Sequence, residues 1–211
     1  MSESTPNGER QPRTGKSLKA QQRRQEILQI AMDTFAARGY TGASLQEIAD
    51  RAGVTQAGVL HYFRTKAHLL TSVLALRDET DIEQLGTERP RGLAFLRHLV
   101  DTVRHNTERQ GIVRLYAVLA AESVIDGHPA QDYFRERYEG LRAMVTEALA
   151  EACELGETRP DLNLKDAANA IIAVMDGLQV QWLLAPDSVD MTAATDRVIT
   201  ALLADLTGKP T

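Results

Sequence analysis

The sequence predicts an all-α protein of about nine helices, on three observations. Apolar residues recur at three- and four-residue spacing along most of the chain, Gly and Pro clusters separate those runs, and no segment sustains the alternation of a strand. The 211 residues are 43% hydrophobic and 25% charged with seven prolines, so the apolar surface is enough to offset chain entropy. A disordered or collagen-like chain is excluded, and the length fits one or two domains.

Taken in order, residues 1–17 hold Pro6, Gly8, Pro12 and Gly15 among Arg, Ser and Thr, and read as a disordered basic tail. Over 18–38, Ile27, Ile30, Ala31 and Phe35 fall at helical spacing, and Gly39 supplies a left-handed stop. Ser44 stands before Leu45 as an N-cap with Glu47 three residues on, the capping-box pattern, and the short helix it opens ends at Gly53. Thr55 caps a third helix to about Tyr62. Further helices are expected near 66–84, 91–109, 112–126, 130–155, 164–184 and 190–206. Breaks fall at 86–90, Gly111, 127–129, 156–160 and Pro186.

The formal net charge of −5 hides a split. Residues 1–66 carry ten Lys or Arg against six Asp or Glu, a net +4, while residues 67–211 carry 14 against 23, a net −9. A basic third on an acidic body suits a protein that meets a polyanion such as nucleic acid with its first part only. The single Cys153 permits no intrachain disulfide and no thiol cluster for zinc, which fits a reducing cytoplasm. The opening residues contain no apolar core of a signal peptide, and the unbroken apolar run 170–175 is stopped by Asp176, far short of the roughly 20 residues that span a bilayer. No membrane partner is expected.

Counted from Leu45, positions four and five are Ile48 and Ala49, nine and ten are Gly53 and Val54, and fifteen is Val59. Two helices crossing at about 90–120° need a small residue at the contact, here Ala49, and a turn residue at ease at positive φ, here Gly53. Ile48, Val54 and Val59 can then bury with Ile27, Phe35 and Phe63. Gln56, Ala57, Leu60 and His61 are left facing outward, short or polar groups suited to a major groove. Tyr62, Arg64 and Lys66 follow, within reach of phosphates.

The run over 27–70, ILQIAMDTFAARGYTGASLQEIADRAGVTQAGVLHYFRTKAHLL, resembles the DNA-binding domain of the tetracycline-repressor (TetR) family of bacterial transcription regulators. The resemblance implies that Gln56, Ala57, Leu60 and His61 face bases, while Ser44, Thr55, Tyr62 and Lys66 grip phosphates. This chain has Ala57 where the family often has Gly, Gly58 where it has Thr, and Leu60 where it has Tyr. Direct readout would therefore rest on Gln56 and His61, with Leu60 against thymine methyls. The residues also admit simpler readings: Leu60 as core, Tyr62 as a half-buried aromatic, Lys66 as the solvated start of a helix. The basic tail, with Arg10, Arg13, Lys16 and Lys19, either follows the DNA or only solubilises the chain.

In the body, the segment 164–184 is apolar nearly all round, with Ala167, Ala170, Ile171, Val174 and Leu178 on one side and Ile172, Met175 and Leu183 on another. A helix with two apolar faces needs two covers. A homodimer through the last two helices supplies the second, with Met191, Ala194, Val198, Leu202 and Leu206 completing the bundle; a monomer burying both faces is the alternative. Dimerisation places two readers about 34–36 Å apart on a palindromic operator in double-stranded DNA. By resemblance the body encloses an effector pocket, for which Phe95, Leu99, Tyr116, Leu119, Glu122, Met144, Met175, Gln179 and Trp182 are the candidates.

No phosphate-binding glycine loop, nucleophile elbow or histidine–carboxylate metal set is present. His61 and His68, like His98 and His105, are seven apart, but no acidic or thiol ligand completes either pair. No catalytic residue, cofactor or metal is expected. The residues thus point to a dimeric DNA-binding regulator, a repressor released by an unknown small-molecule effector. A regulator without an effector and a helical small-molecule carrier or enzyme are the alternatives.

Overall fold

The computed structural model describes the backbone of residues 15–85, 89–159 and 162–208 and the side chains of 18–78, 89–159 and 162–208. Among them are nine α-helices and no strand: α1 (Gly15–Gly42), α2 (Leu45–Arg51), α3 (Gln56–Tyr62), α4 (Lys66–Leu85), α5 (Leu93–Thr107), α6 (Gln110–Glu122), α7 (Gln131–Glu154), α8 (Leu164–Leu184) and α9 (Met191–Thr207).

Local chemistry sets the boundaries. Ser44 Oγ accepts the Glu47 N–H at 3.0 Å and Thr55 Oγ1 accepts the Gly58 N–H at 3.1 Å, the expected caps of α2 and α3. Thr65 Oγ1 accepts the His68 N–H at 3.0 Å at the start of α4. Asn163 and Asp190 cap α8 and α9 in the same way. The first helix starts at Gly15, inside the segment expected to be a tail, because backbone N–H groups of a first turn lack intrahelical partners anyway and a glycine there costs little. The rest of that tail, residues 1–14, lies outside the described residues. Gly39, at φ 69° and ψ 178°, breaks α1 before its last turn, a conformation essentially restricted to glycine.

The core is divided into three clusters. The largest joins Ile27, Phe35, Ile48, Val59 and Phe63 of the first three helices and the following turn to Leu69, Leu70 and Leu74 of α4 and to Leu115 and Leu119 of α6. The reader therefore shares its core with the body, and α6 lies directly along α1. A second cluster, built on Phe95, Leu96, Leu149 and Ile171, binds α5, α7, α8 and α9 together. Val103, Val113, Trp182 and Met191 form the third.

By length and composition α8 is able to cross a membrane, with a mean hydropathy of 1.3, which the unbroken-run criterion did not register. Ala168, Ile171 and Trp182 of this helix pack into the body, and Asp176 accepts a hydrogen bond from Tyr138 Oη at 2.8 Å. Its Ala170, Ala173, Val180 and Leu184 stay exposed, Leu184 by 81%.

Candidate nucleic-acid interface

The α2–turn–α3 unit has the geometry its spacing predicts. Ala49 is fully buried at the helix crossing, and Gly53 turns at φ 63°. Val59 points into the core with no exposed surface, so Gln56, Ala57 and His61 on the other faces of α3 are exposed and Leu60 is half-exposed. Leu60 is thus not a core residue. Ser44 and Thr55 are exposed; each oxygen caps a helix, which leaves the hydroxyl proton to donate elsewhere.

Tyr62 is half-buried, packs on the reader core and stands edge-on to His61 with ring centroids 5.3 Å apart. It also lines a groove of about 370 Å³ with Lys19, Gln22, Arg23 and Glu26 of α1. Part of the basic character serves structure: Arg23 donates to the Ala52 carbonyl at 3.2 Å, and the Arg24 guanidinium lies 5.0 Å from the Phe63 ring centroid. The Nδ1 of His68 accepts the Arg64 N–H at 3.2 Å, so this histidine is a local cap.

Lys66, expected to grip a phosphate, is half-buried at the junction between reader and body. Its Nζ lies 4.5 Å from the centroid of the Tyr40 ring, and burial lowers its pKa against the raising field of Glu122. The ammonium is drawn to the junction between reader and body because an aromatic face and a carboxylate wait there.

The nine body residues are spread over the three core clusters and the surface. Phe95 is buried and Leu99 packs on the second cluster, Tyr116 and Leu119 belong to the first, Trp182 to the third, and Met175 borders the last two. Met144 is 41% exposed and Gln179 is half-buried. Glu122 is the clearest correction: it caps the corner at the end of α1, accepting the Tyr40 N–H at 2.6 Å, rather than facing a pocket. Helical spacing identifies inward residues but not the neighbours they meet. A groove of about 520 Å³ between α5 and α9 includes Arg97, Val100, Arg104, Ile199 and Leu203 and none of the nine.

A polar cluster that spacing did not reveal surrounds Tyr116. Its hydroxyl lies 2.6 Å from that of Tyr133, and Asp78 Oδ1 accepts from Tyr133 at 2.8 Å and Tyr116 at 3.2 Å. The Arg137 guanidinium lies 4.5 Å from the Tyr116 centroid. Burial pushes the Tyr138 hydroxyl up to about 12, aided by its bond to Asp176, and burial also raises Asp176. Tyr133 and Tyr138, five residues apart on α7, bear the only hint of this cluster in the sequence. No group of three or more potential metal ligands exists among the described residues.

Residues 27–73 match the family described as bacterial regulatory proteins, tetR family, and residues 93–208 match the C-terminal region of BetI-type transcriptional repressors. The chain is 29% identical to the HTH-type transcriptional regulator TtgR of Pseudomonas putida, over 84% of this chain and 88% of that protein. It is 27% identical to AcrR of Shigella flexneri, over 87% and 89%. Among solved structures, a transcriptional regulator from Saccharomonospora viridis in complex with choline aligns with a TM-score of 0.71 at 19% identity, over 88% of this chain and 98% of that one. NalD, the secondary repressor of the MexAB-OprM multidrug efflux pump in Pseudomonas aeruginosa, aligns at 0.67 with 22% identity, over 89% and 97%. With two matched regions that together span most of the described helices, one of them covering more than half of the sequence, the chain belongs to the TetR family of bacterial transcription regulators.

Proposed function

We propose that the protein is a homodimeric repressor that holds a palindromic operator and leaves it when a small molecule binds the body. The exposed face of α3 supports this most directly: Gln56, Ala57, Leu60 and His61 point away from a core anchored by Val59. Residues 18–65 form the reader and 66–207 the body. Ser44, Thr55 and Tyr62 flank the groove-facing side chains and serve as phosphate contacts, with Lys66 behind them.

The uncovered stripe Ala170, Ala173, Gly177, Val180 and Leu184 on α8 supports pairing of the last two helices with a second copy. Its small residues permit close approach, and its exposed apolar area is otherwise left in water. A two-fold axis then brings two α3 helices to successive major grooves.

The effector acts beside Tyr116, where α4, α6, α7 and α8 contribute Asp78, Tyr133, Tyr138 and Asp176. Aromatic faces with carboxylates suit a small organic cation, for which the Arg137 and Arg77 guanidiniums, 4.5 and 5.2 Å from the Tyr116 centroid, are the internal occupants to displace. The choline complex of the Saccharomonospora viridis regulator fits that chemistry. A coupling of about 1–3 kcal/mol lowers operator affinity by roughly 5- to 150-fold.

Selection of bound fragments from random double-stranded DNA tests the reading. A palindrome whose affinity falls steeply with salt is expected, followed by release in a screen that includes quaternary ammonium compounds. Failure to enrich any DNA would refute the repressor; enrichment without release by any small molecule would leave a regulator controlled by abundance or a protein partner.

A further inference from the structure

One body side chain holds the entrance to the DNA-reading unit. The α2–turn–α3 segment enters after Tyr40 and Thr41 and leaves into α4 at Lys66. Glu122, the last residue of α6, bonds the first of these directly and reaches the second only through its field. Its Oε2 accepts the Tyr40 N–H at 2.6 Å and its Oε1 accepts the Thr41 N–H at 3.4 Å. These N–H groups face α6 because Gly39 turns the chain at positive φ, and a side chain at Gly39 would collide with the Glu122 carboxylate. On the other end, Lys66 Nζ sits over the Tyr40 ring at 4.5 Å, in the field of the same carboxylate.

A third group approaches from behind. His128, in the turn between α6 and α7, accepts the Ala130 N–H on Nδ1 at 3.2 Å, which places the proton of a neutral ring on Nε2. That Nε2 is buried without a hydrogen-bond partner and lies 3.9 Å from Glu122 Oε2. The imidazole stands edge-on to Tyr40, with ring centroids 5.2 Å apart. The body thus presents a carboxylate backed by a donor to the two reader N–H groups and the Lys66 cation.

We infer that Glu122 is a positioning residue for operator recognition: by tying Tyr40 and Thr41 to the end of α6 it sets the angle at which the reader projects from the body. The inference rests on α3 being the DNA reader. The α1–α6 contact through Leu115 and Leu119 is apolar and therefore non-directional, so it does not by itself select one rotation of the reader. Charge-assisted bonds to two backbone N–H groups are directional and resist such rotation. Since both readers of a dimer must meet grooves at a fixed separation, loss of the tie spreads their separation while leaving α3 able to contact DNA.

The test compares the wild-type protein with Glu122→Ala on a library of paired half-sites with varied spacers. The expected result is an affinity for the preferred spacing lowered about tenfold or more, the size of a lost hydrogen bond to a charged group. The variant should also show a flatter spacing profile and unchanged binding to random DNA. Glu122→Gln, which keeps an acceptor oxygen for Tyr40, should fall between the two and serves if the alanine variant does not fold. In parallel, spin labels on cysteines placed at Gln46 and Ala143, in a Cys153→Ser background, report the reader-to-body distance without DNA. With labelled chain diluted into excess unlabelled chain, so that each dimer carries at most one labelled copy, a single narrow distance in the parent that broadens with Glu122→Ala or Glu122→Gln supports the inference. An unchanged distance distribution overturns it, as does an unchanged spacing profile in the folded variants. If no protein binds DNA, the functional reading fails, and the distance measurement still decides whether Glu122 holds the reader.

Discussion

Thr55 Oγ1 accepts the Gly58 N–H at 3.1 Å, so the hydroxyl that caps α3 lies at the exposed start of that helix. Thr55→Ala should lower stability by about 0.5–2 kcal/mol, the usual loss for an N-cap, and weaken operator binding irrespective of base sequence. Thr55→Ser should preserve both. Urea unfolding and fluorescence anisotropy separate the two effects.

The two glycines that flank α2 should not be equivalent. A Cβ at Gly53 meets nothing, so Gly53→Ala should cost about 1–2 kcal/mol from backbone conformation alone. Gly39→Ala combines a disfavoured backbone with a collision at Glu122, and its loss should be larger. Equal urea midpoints for the two variants would contradict the close approach of α6 to this corner.

Leu119 is fully buried and Met144 is 41% exposed, although both have helical spacing consistent with a pocket lining. Leu119→Ala should destabilise by about 2–5 kcal/mol. Met144→Ala should stay within about 0.5 kcal/mol, and thermal unfolding of the two variants tests the contrast.

Burial holds the His128 imidazole below its ordinary pKa, and the Glu122 carboxylate opposes that shift; Lys66 and Tyr40 are the other titratable groups at this corner. The unfolded chain titrates near the ordinary value of 6.5 and takes up a proton that the folded protein resists. Stability should therefore decline as pH falls from about 7 through that value, and level off below the folded pKa. The pH dependence of the thermal midpoint should be shallower in His128→Gln.

Val180 is 46% exposed on the small-residue stripe of α8. Val180→Glu places a charge where the second copy is proposed to pack, at a site that is solvent-facing in one chain. Sedimentation should show a monomer with unchanged helix content and operator affinity reduced to that of a single half-site. A variant that stays dimeric would move the interface elsewhere.

Much of this molecule is legible from short-range chemistry. Ser44, Thr55 and Gly53 specify turns and caps through atoms within four residues, so the boundaries of α2 and α3, and with them the outward face of Gln56, Ala57, Leu60 and His61, could be read in advance. The two apolar sides of α8 were legible for the same reason, since periodicity is a property of one helix. What periodicity does not contain is which helix comes to lie alongside. Glu122 looks like a polar intruder among pocket residues until α6 is laid along α1, where it meets an N–H group 82 positions earlier in the chain. Tyr116, Phe95 and Trp182 share helical spacing yet enter three different clusters, and the Lys66 ammonium lies over the ring of Tyr40. Local sequence therefore decided which faces are apolar and where each helix stops, because caps and turns act over a few bonds. Only the tertiary packing decided what each polar side chain pairs with, because burial turns a distant N–H or aromatic face into the best partner within reach.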